Sequence, residues 1–329
     1  MTMPPPDAAP NADSVALLSH DVRAWNDARA THPDYLNLVN ADLHERNLMG
    51  AHLNGADLRG ANLAGADLSH SSLDEAKLDG ATLRGATLRD VALNRTVLSQ
   101  PTFEGVDFRK ARMWKSEWPG ARFIDCDLRD VNLTESELTG LYIKDSQLDG
   151  IDLSQSKMAN AQIHDCSIAR GAAADAVLDG AVLGFKTPFN INLSGSSLKG
   201  AVLPKNNWHA ATLIGTRADG VNLDGAKISY GALDESHMEG TTFRGASFYQ
   251  TTFRKAVFTG ADFSGATLED CNFKDAVLRN ARFDGAHFKG RIKFQGAQLD
   301  GATWKGLDDA GSKNVDLSGT IYAGGRLPK

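Results

Sequence analysis

The sequence of 329 residues predicts an all-β solenoid, a fold in which short sides and corners coil repeatedly around one core. A large apolar residue recurs at every fifth position from Leu38 to Phe288 without an insertion, with rare exceptions such as Pro188. The residue two places earlier is usually small, and Gly often fills the last place of the unit. A helix repeats every 3.6 residues and a strand every second residue, so a period of five requires a chain that turns once per unit.

The unit is clearest at 56–68, which reads ADLRG, ANLAG and ADL. This pattern resembles the pentapeptide-repeat family, whose repeat is A(D/N)LXX. The resemblance implies a right-handed quadrilateral parallel β-helix in which four units make one turn. It covers 36–290, and we expect about 13 coils there, stacked at about 4.8 Å per coil.

The N-terminal part lies outside the repeat. Residues 1–12 are rich in Pro and Ala without periodicity, and we expect a disordered tail. Residues 13–35 are expected to form a capping helix and a linker, with Asp13 or Ser14 as the N-cap. The helix should cover the apolar end of the first coil with residues at helical spacing, namely Leu18, Val22 and Trp25.

The C-terminal part of the repeat changes its core residue. From Phe243 to Phe288 the centre positions are mostly Phe, which predicts coils filled by stacked rings. The register breaks at RIKFQG, where Phe294 takes the centre one residue late. We therefore expect 291–329 to form a register-shifted final coil and a C-terminal cap or interaction tail.

Composition limits the classes of function. The net charge of −6 and a pI near 5.8 leave no overall basic footprint for nucleic acid. No signal peptide or membrane-spanning segment is apparent, so we expect a cytoplasmic bacterial protein without a membrane partner. The sequence contains no nucleophile motif, phosphate-binding loop or metal-ligand spacing. These observations predict a protein that is not an enzyme and binds no cofactor or metal.

The three cysteines occupy the small inward position of the unit, where Ala is usual. We expect them to be buried structural residues rather than redox or metal-binding groups. With four units per turn, Cys126 and Cys166 would lie two coils apart, about 9 to 10 Å. That separation is too long for a disulfide.

An aromatic and apolar cluster interrupts the repeat between residues 177 and 210. Phe185 and Phe189 fall at outward or corner positions, near Pro204, and grouped exposed rings are unusual on a solvated face. The alternative is a local refolding that buries them. The candidate partner surface comprises Phe185, Phe189, Val202 and Trp208.

Two charged zones are further candidates. Residues 84–115 contain seven basic and three acidic side chains, and the candidate basic patch comprises Arg109, Lys110, Arg112, Trp114 and Lys115. Residues 117–179 contain twelve acidic and five basic side chains. Three aspartates there recur at a spacing of twenty and form a candidate acidic row, namely Asp125, Asp145 and Asp165. A solvated face is the alternative interpretation of both zones.

We expect a binding or scaffold protein that presents rigid, flat faces to an unidentified protein partner, without direct contact to nucleic acid. The family resemblance implies an alternative, in which acidic faces imitate DNA and bind gyrase or topoisomerase IV. It also implies a homodimer formed through the C-terminal coils. A second basic zone at 241–305 interrupts the acidic surface that imitation of DNA would require.

Overall fold

The computed structural model describes residues 9–186, 188–203 and 207–321, which form two N-terminal helices followed by a parallel β-solenoid. The chain divides into two compact units, Met1–Lys157 and Met158–Lys329. In the first unit, and in the second unit before its C-terminal coils, the single main-chain bridges join residues twenty apart, such as Asp57 with Lys77. Twenty residues make four five-residue repeats, so each turn has four sides, as the resemblance implies. The predicted number of coils is roughly right.

Two helices stand where the sequence predicted one. Helix α1 spans Ala12–His20 and helix α2 spans Val22–Arg29. The N-cap of α1 is Asn11, whose side chain accepts a hydrogen bond from the Ser14 amide, so the predicted N-cap at Asp13 or Ser14 is wrong. Asp21 interrupts the helix with an extended backbone and caps α2. Of the predicted disordered tail, 1–8 lies outside the described residues.

The helices pack on the first coil of the first unit. Trp25 is fully buried and donates a hydrogen bond from Nε1 to Ser14 Oγ at 3.0 Å. Asn26 donates to the Gly50 carbonyl at 3.0 Å and accepts from the His52 amide at 2.8 Å. Unpaired main-chain groups on a sheet edge invite association with another chain. Helix α2 therefore occupies part of the main-chain edge of the first coil, and a 3-10 helix at Pro33–Leu36 leads into the repeat.

Most coil sides are single bridges, and some lengthen into short strands. The first unit contains three strands in register, β1 (Thr102–Glu104), β2 (Arg122–Ile124) and β3 (Tyr142–Lys144). The second unit contains the pair β4 (Gln162–Cys166) and β5 (Val182–Phe185). It also contains a parallel sheet of six strands, β6 (Asn207–His209), β7 (Lys227–Ser229), β8 (Ser247–Tyr249), β9 (Thr267–Glu269), β10 (His287–Lys293) and β11 (Asp308–Asp316).

At the corners, the last residue of the five-residue repeat has a left-handed backbone conformation. Gly60 has a φ of 68°, and its missing Cβ would lie 2.2 Å from Asn40 Oδ1 of the preceding coil. Many corners have other residues, such as Asp125 with a φ of 54°. This conformation costs such a residue about 1 to 2 kcal/mol. The main-chain ladder holds the corner, since the Asp125 amide donates to the Lys144 carbonyl at 3.1 Å.

The core consists of columns of side chains stacked from coil to coil. In the second unit Phe263 lies between Phe243 and Phe283, with ring centroids 4.7 and 5.0 Å away and nearly parallel planes. A second column stacks Phe253 on Phe273 at 4.5 Å, and the two columns meet edge to face. The predicted core of stacked rings is therefore confirmed.

The C-terminal coils of the second unit have a longer repeat. Bridges there join residues 21 apart, as between Asn272 and Lys293, because the chain contains one extra residue near 290–293. Strand β11, within the expected C-terminal cap or tail, pairs with β10 along an irregular register. Of the expected C-terminal cap or tail, 322–329 lies outside the described residues.

An ion pair illustrates how carboxylates are kept charged on the sides of the solenoid. Asp57 is buried, and Arg59 donates to its two oxygens from Nε at 2.8 Å and Nη2 at 2.7 Å. Burial raises the pKa of Asp57, but the hydrogen bonds and charge of Arg59 outweigh burial, and the pKa lies below its usual value. The ionised carboxylate is therefore the stable form in the fold.

Replacement of Phe263 by Ala should lower the free energy of unfolding by about 3 to 5 kcal/mol, because it removes a fully buried ring from the stack. The control Lys274→Ala, on an exposed side chain of the same unit, should cost less than about 0.5 kcal/mol. Denaturant unfolding followed by circular dichroism measures both. Equal losses would show that the core columns are assigned incorrectly.

Asp57→Asn should lower stability at pH 7 by about 1 to 3 kcal/mol, since it removes a charged hydrogen-bond acceptor from Arg59. The pKa of Asp57 is depressed in the fold, so its contribution is present above the unfolded pKa, near 4, and disappears as pH falls through the folded pKa. Unfolding of both proteins between pH 7 and 3 should show the difference shrinking with acidity. A constant difference across this range would contradict the assignment.

Candidate interaction surface

The structure divides the predicted aromatic cluster into a buried and an exposed part. Phe185 is 6% exposed and Trp208 is 3% exposed, and their rings pack edge to face at 6.2 Å. The expected exposure of Phe185 is wrong. The pairing of β4 with β5 shifts in register by one residue after His164, and this places Phe185 opposite buried Cys166. Phe189 and Val202 are exposed by 48% and 53%, whereas Pro204 lies outside the described residues.

Phe189 belongs to a row of rings that the sequence analysis missed. Its ring stacks on His209 at 5.2 Å, His209 contacts Tyr230 at 5.1 Å, and Tyr230 contacts Tyr249 at 5.3 Å. We call Phe189, His209, Tyr230 and Tyr249 the aromatic ladder. All four belong to the second unit, and Tyr230 is 49% exposed. A spacing of about twenty residues between aromatic residues was the signal that could have identified it.

Polar contacts order the ladder. His209 Nδ1 lies 3.1 Å from Ser229 Oγ, and Gln250 donates from Nε2 to the Tyr249 hydroxyl at 3.1 Å. The neighbouring Tyr230 hydroxyl, by its charge when ionised and by hydrogen bonding, raises the pKa of Tyr249. The Tyr249 phenol therefore remains neutral near pH 7.

A shallow groove runs beside the ladder across strands β6 to β8. One wall is formed by the side chains that precede the buried centre residues, Asn207, Lys227 and Ser247. The other wall is formed by the side chains that follow them, His209, Ser229 and Tyr249. The walls contain one cation and no carboxylate, so the groove is neutral to basic in a protein of negative net charge.

The candidate basic patch is partly neutralised by carboxylates of the same and the neighbouring coil. Arg109 donates to both oxygens of Asp107, at 3.0 and 2.8 Å, and lies 3.3 Å from Asp127. Lys110 and Arg112 are exposed, and no ion pair with either is found within the described ranges. These pairings favour the solvated-face interpretation for this part of the patch.

Trp114 is partly buried within the same network. Its Nε1 donates to Glu135 at 3.1 Å, and Lys115 Nζ lies 4.4 Å above its ring and 3.3 Å from Glu135. The hydrogen bond from Trp114, followed by the contacts from Lys115, lowers the pKa of Glu135. The indole is therefore engaged on its edge and on one face, which leaves less of it for a ligand.

The candidate acidic row consists of exposed corner residues. Asp125, Asp145 and Asp165 all have left-handed backbone, with φ of 54°, 51° and 53°. Lys144 Nζ lies 3.6 Å from Asp145 Oδ2. Asp125 and Asp145 belong to the first unit and Asp165 to the second, so each unit presents part of the row.

The cysteines have the environment that their positions predicted. All three are free and buried, and desolvation raises the pKa of Cys126 to about 11 and that of Cys271 to about 12. Thiols with such pKa values remain protonated and unreactive near pH 7. Across the part of the chain that the structure describes, no group of three or more His, Cys, Asp or Glu is placed to hold a metal ion.

No helix among the described residues is both long and apolar enough to span a bilayer. The helices α1 and α2 have nine and eight residues.

Comparisons with protein families identify the repeat. A model of pentapeptide repeats in eight copies matches 37–74, 61–100, 76–114, 102–140, 120–155 and 191–229. A model of a pentapeptide repeat region matches 231–304. Together the matches cover well over half of the chain. No curated protein matches the sequence significantly.

Solved structures of similar type include two cyanobacterial proteins and a resistance protein. HetL of Nostoc, a pentapeptide repeat protein involved in heterocyst differentiation regulation, is 22% identical over 73% of this chain and 91% of its own, with a TM-score of 0.27. QnrB1, a plasmid-mediated fluoroquinolone resistance protein, is 15% identical over the same shares, with a TM-score of 0.23. Rfr23 of Cyanothece is 18% identical over 32% of this chain and 91% of its own, with a TM-score of 0.15.

The two parts of the aromatic cluster should respond differently to substitution. Phe185→Ser and Trp208→Ser should each lower the free energy of unfolding by at least about 3 kcal/mol, because each removes a buried ring. Phe189→Ser and Val202→Ser should each cost less than about 1 kcal/mol, because these side chains are half exposed. Denaturant unfolding of the four variants provides the comparison, and a large loss for Phe189→Ser would mean that its ring is part of the core.

Proposed function

Since the chain belongs to the pentapeptide-repeat family, we propose that it is a non-enzymatic binding protein that presents rigid solenoid faces to a protein partner. The observation that carries the proposal is the set of half-exposed apolar and aromatic side chains in the second unit. Exposed apolar groups on neighbouring coils are typical of interaction surfaces. The large exposed apolar residues there are Val177, Phe189, Val202, Ile214, Tyr230 and Ile321.

The first unit has fewer such residues among those described, namely Met49 and Val97. The partner surface is therefore assigned to the second unit. The sides of a solenoid are held by main-chain hydrogen bonds on both neighbours, so little order has to be gained when a partner binds. Rings fixed in this way are effective anchors, because aromatic residues dominate binding energy at protein interfaces.

The alternative function is imitation of DNA toward gyrase or topoisomerase IV, which the family resemblance implies. The exposed carboxylates at the corners Asp125, Asp145 and Asp165 support it. The basic residues that pair with carboxylates of the same or an adjacent coil count against it, because they interrupt the negative surface. Arg109 and Arg129 are examples, each bound to Asp127.

The two functions can be separated with three sets of substitutions. The first replaces Phe189 and Val202 by Ser, and the second replaces the three aspartates of the acidic row by Asn, which tolerates left-handed backbone. The third is a matched control on the first unit, in which Met49 and Val97 become Ser. Circular dichroism establishes that each variant is folded before binding is measured.

The readouts are recovery of cross-linked partners from native lysate and inhibition or protection of gyrase in a supercoiling assay. We expect the Phe189 and Val202 variant to lose at least about tenfold of partner recovery, with the control and the Asn variant unchanged. If the wild type acts on gyrase and the Asn variant alone loses that action, DNA imitation replaces the proposed function. If all three variants recover the partner equally, the second-unit surface is not the binding site.

A further inference from the structure

The rings of the aromatic ladder contact one another by stacking and by edge-to-face packing. The rings of Phe189 and His209 are nearly parallel, with an interplanar angle of 9° and centroids 5.2 Å apart, so one face of each covers the other from coil to coil. Tyr230 turns to meet His209 at 67° and Tyr249 at 90°, and its ring closes the stack from the side. The edge of an aromatic ring carries partial positive charge. The half-exposed rings of Phe189 and Tyr230 therefore offer apolar surface to a partner, and any exposed ring edge favours carboxylate or carbonyl oxygens.

The spacing of the ladder matches one kind of protein element. Successive rings are 5.1 to 5.3 Å apart. An α-helix that lies along this direction advances 5.4 Å per turn and offers one side chain per turn on a given stripe. An extended strand instead repeats a side chain on one face about every 6.8 Å. Its side chains would therefore no longer align with the rings after the second side chain on that face. The periodicity favours a helix.

The groove beside the ladder gives the anchors of such a helix a place to enter. Its two walls arise from side chains two residues apart on strands β6 to β8, a separation of about 7 Å. A partner side chain can therefore contact both walls on each coil, as at Asn207 and His209 on β6. Four rungs of the ladder correspond to about three helical turns, or roughly eleven residues.

Charge selects the helix further. Lys227 lies on β7, the middle of the three strands that line the groove. No ion pair with it is found among the described residues. The corner residues beside the rungs are Asn190, Ala210 and Gln250, none of which is charged. The next coil carries Glu269 and Asp270, which end the strip that is free of carboxylates. A carboxylate on the partner therefore gains most when it faces Lys227.

We propose that the aromatic ladder and its groove form a docking site for an amphipathic helix of a partner protein, with an apolar stripe flanked by acidic residues. The inference rests on the proposed function as a binding protein and names the element that is bound. Single-stranded nucleic acid is the rival ligand. It fits less well, because bases need open ring faces and the backbone needs several cations, whereas the groove offers one.

The test uses fluorescein-labelled model peptides and fluorescence anisotropy with the full chain. The probe is an alanine-based peptide of about 14 residues, with leucine at every third or fourth position and glutamate on both flanks of that stripe. One comparison peptide has lysine in place of glutamate, and another has the same composition with the leucines spread around the helix. A labelled oligothymidylate of about 12 nucleotides represents single-stranded nucleic acid.

The protein variants are Phe189→Ser with Tyr230→Ser, Lys227→Glu, and two controls. Val97→Ser is the apolar control, since Val97 is exposed in the first unit, outside the proposed partner surface. Lys274→Glu is the charge control, because it makes the same charge change at an exposed position of the second unit. We expect the acidic peptide to bind the wild type and both controls. The ladder variant should weaken binding at least about tenfold, and Lys227→Glu should reverse the preference from the glutamate to the lysine peptide.

Three results would overturn the inference. These are equal binding of the peptide with scattered leucines, binding that is insensitive to the ladder variant, and absence of peptide binding. Ladder-dependent binding of oligothymidylate in preference to the acidic peptide would assign the surface to nucleic acid instead. The proposed function is judged separately, because loss of the natural partner in the Phe189 and Val202 variant would uphold it even if no helical peptide binds.

Discussion

The main-chain ladder between successive coils is the interaction on which the rest of the structure depends. The amide of Leu63 donates to the Thr82 carbonyl at 2.8 Å in the first unit, and the amide of Phe253 donates to the Asn272 carbonyl at 2.8 Å in the second. Because the offset is constant before the C-terminal coils, each side chain there lies over the one twenty residues away. A residue preference at one position of the repeat thereby produces a column of similar side chains, which is buried or exposed along its length.

The columns also decide how the surface is charged. Carboxylates and cations twenty residues apart face each other, as in Glu75 with Arg95 at 3.5 Å and Glu235 with Lys255 at 3.3 Å. Exposed pairs of this kind contribute about 0 to 1 kcal/mol each, so they matter little for stability. Their effect is on recognition, because they cancel the charge that a partner would meet. Strips without such pairs, such as the groove around Lys227, keep an uncancelled charge that a partner can recognise.

The core columns could be predicted from the sequence because a strict period of five determines which residues point inward. Burial of Phe185 could not, since one residue of register shift between Cys166 and Phe185 moves a side chain from the outside to the inside. The basic patch was misleading for a related reason. Residues 84–115 are basic in sequence, but partners such as Glu75, Asp127 and Glu135 lie outside that window and reach it from adjacent coils.

Recognition by a regular lattice differs from recognition by loops, because the partner has to match a period as well as a shape. The coils repeat at about 4.8 Å, so the ladder is shorter than the helical pitch by about 0.6 Å per turn. Over three turns the mismatch stays below about 2 Å, which side-chain rotation absorbs. The length of the matched helix is therefore limited by charge rather than by geometry. Glu269 and Asp270 set that limit, since an acidic partner gains nothing beyond the rung of Tyr249.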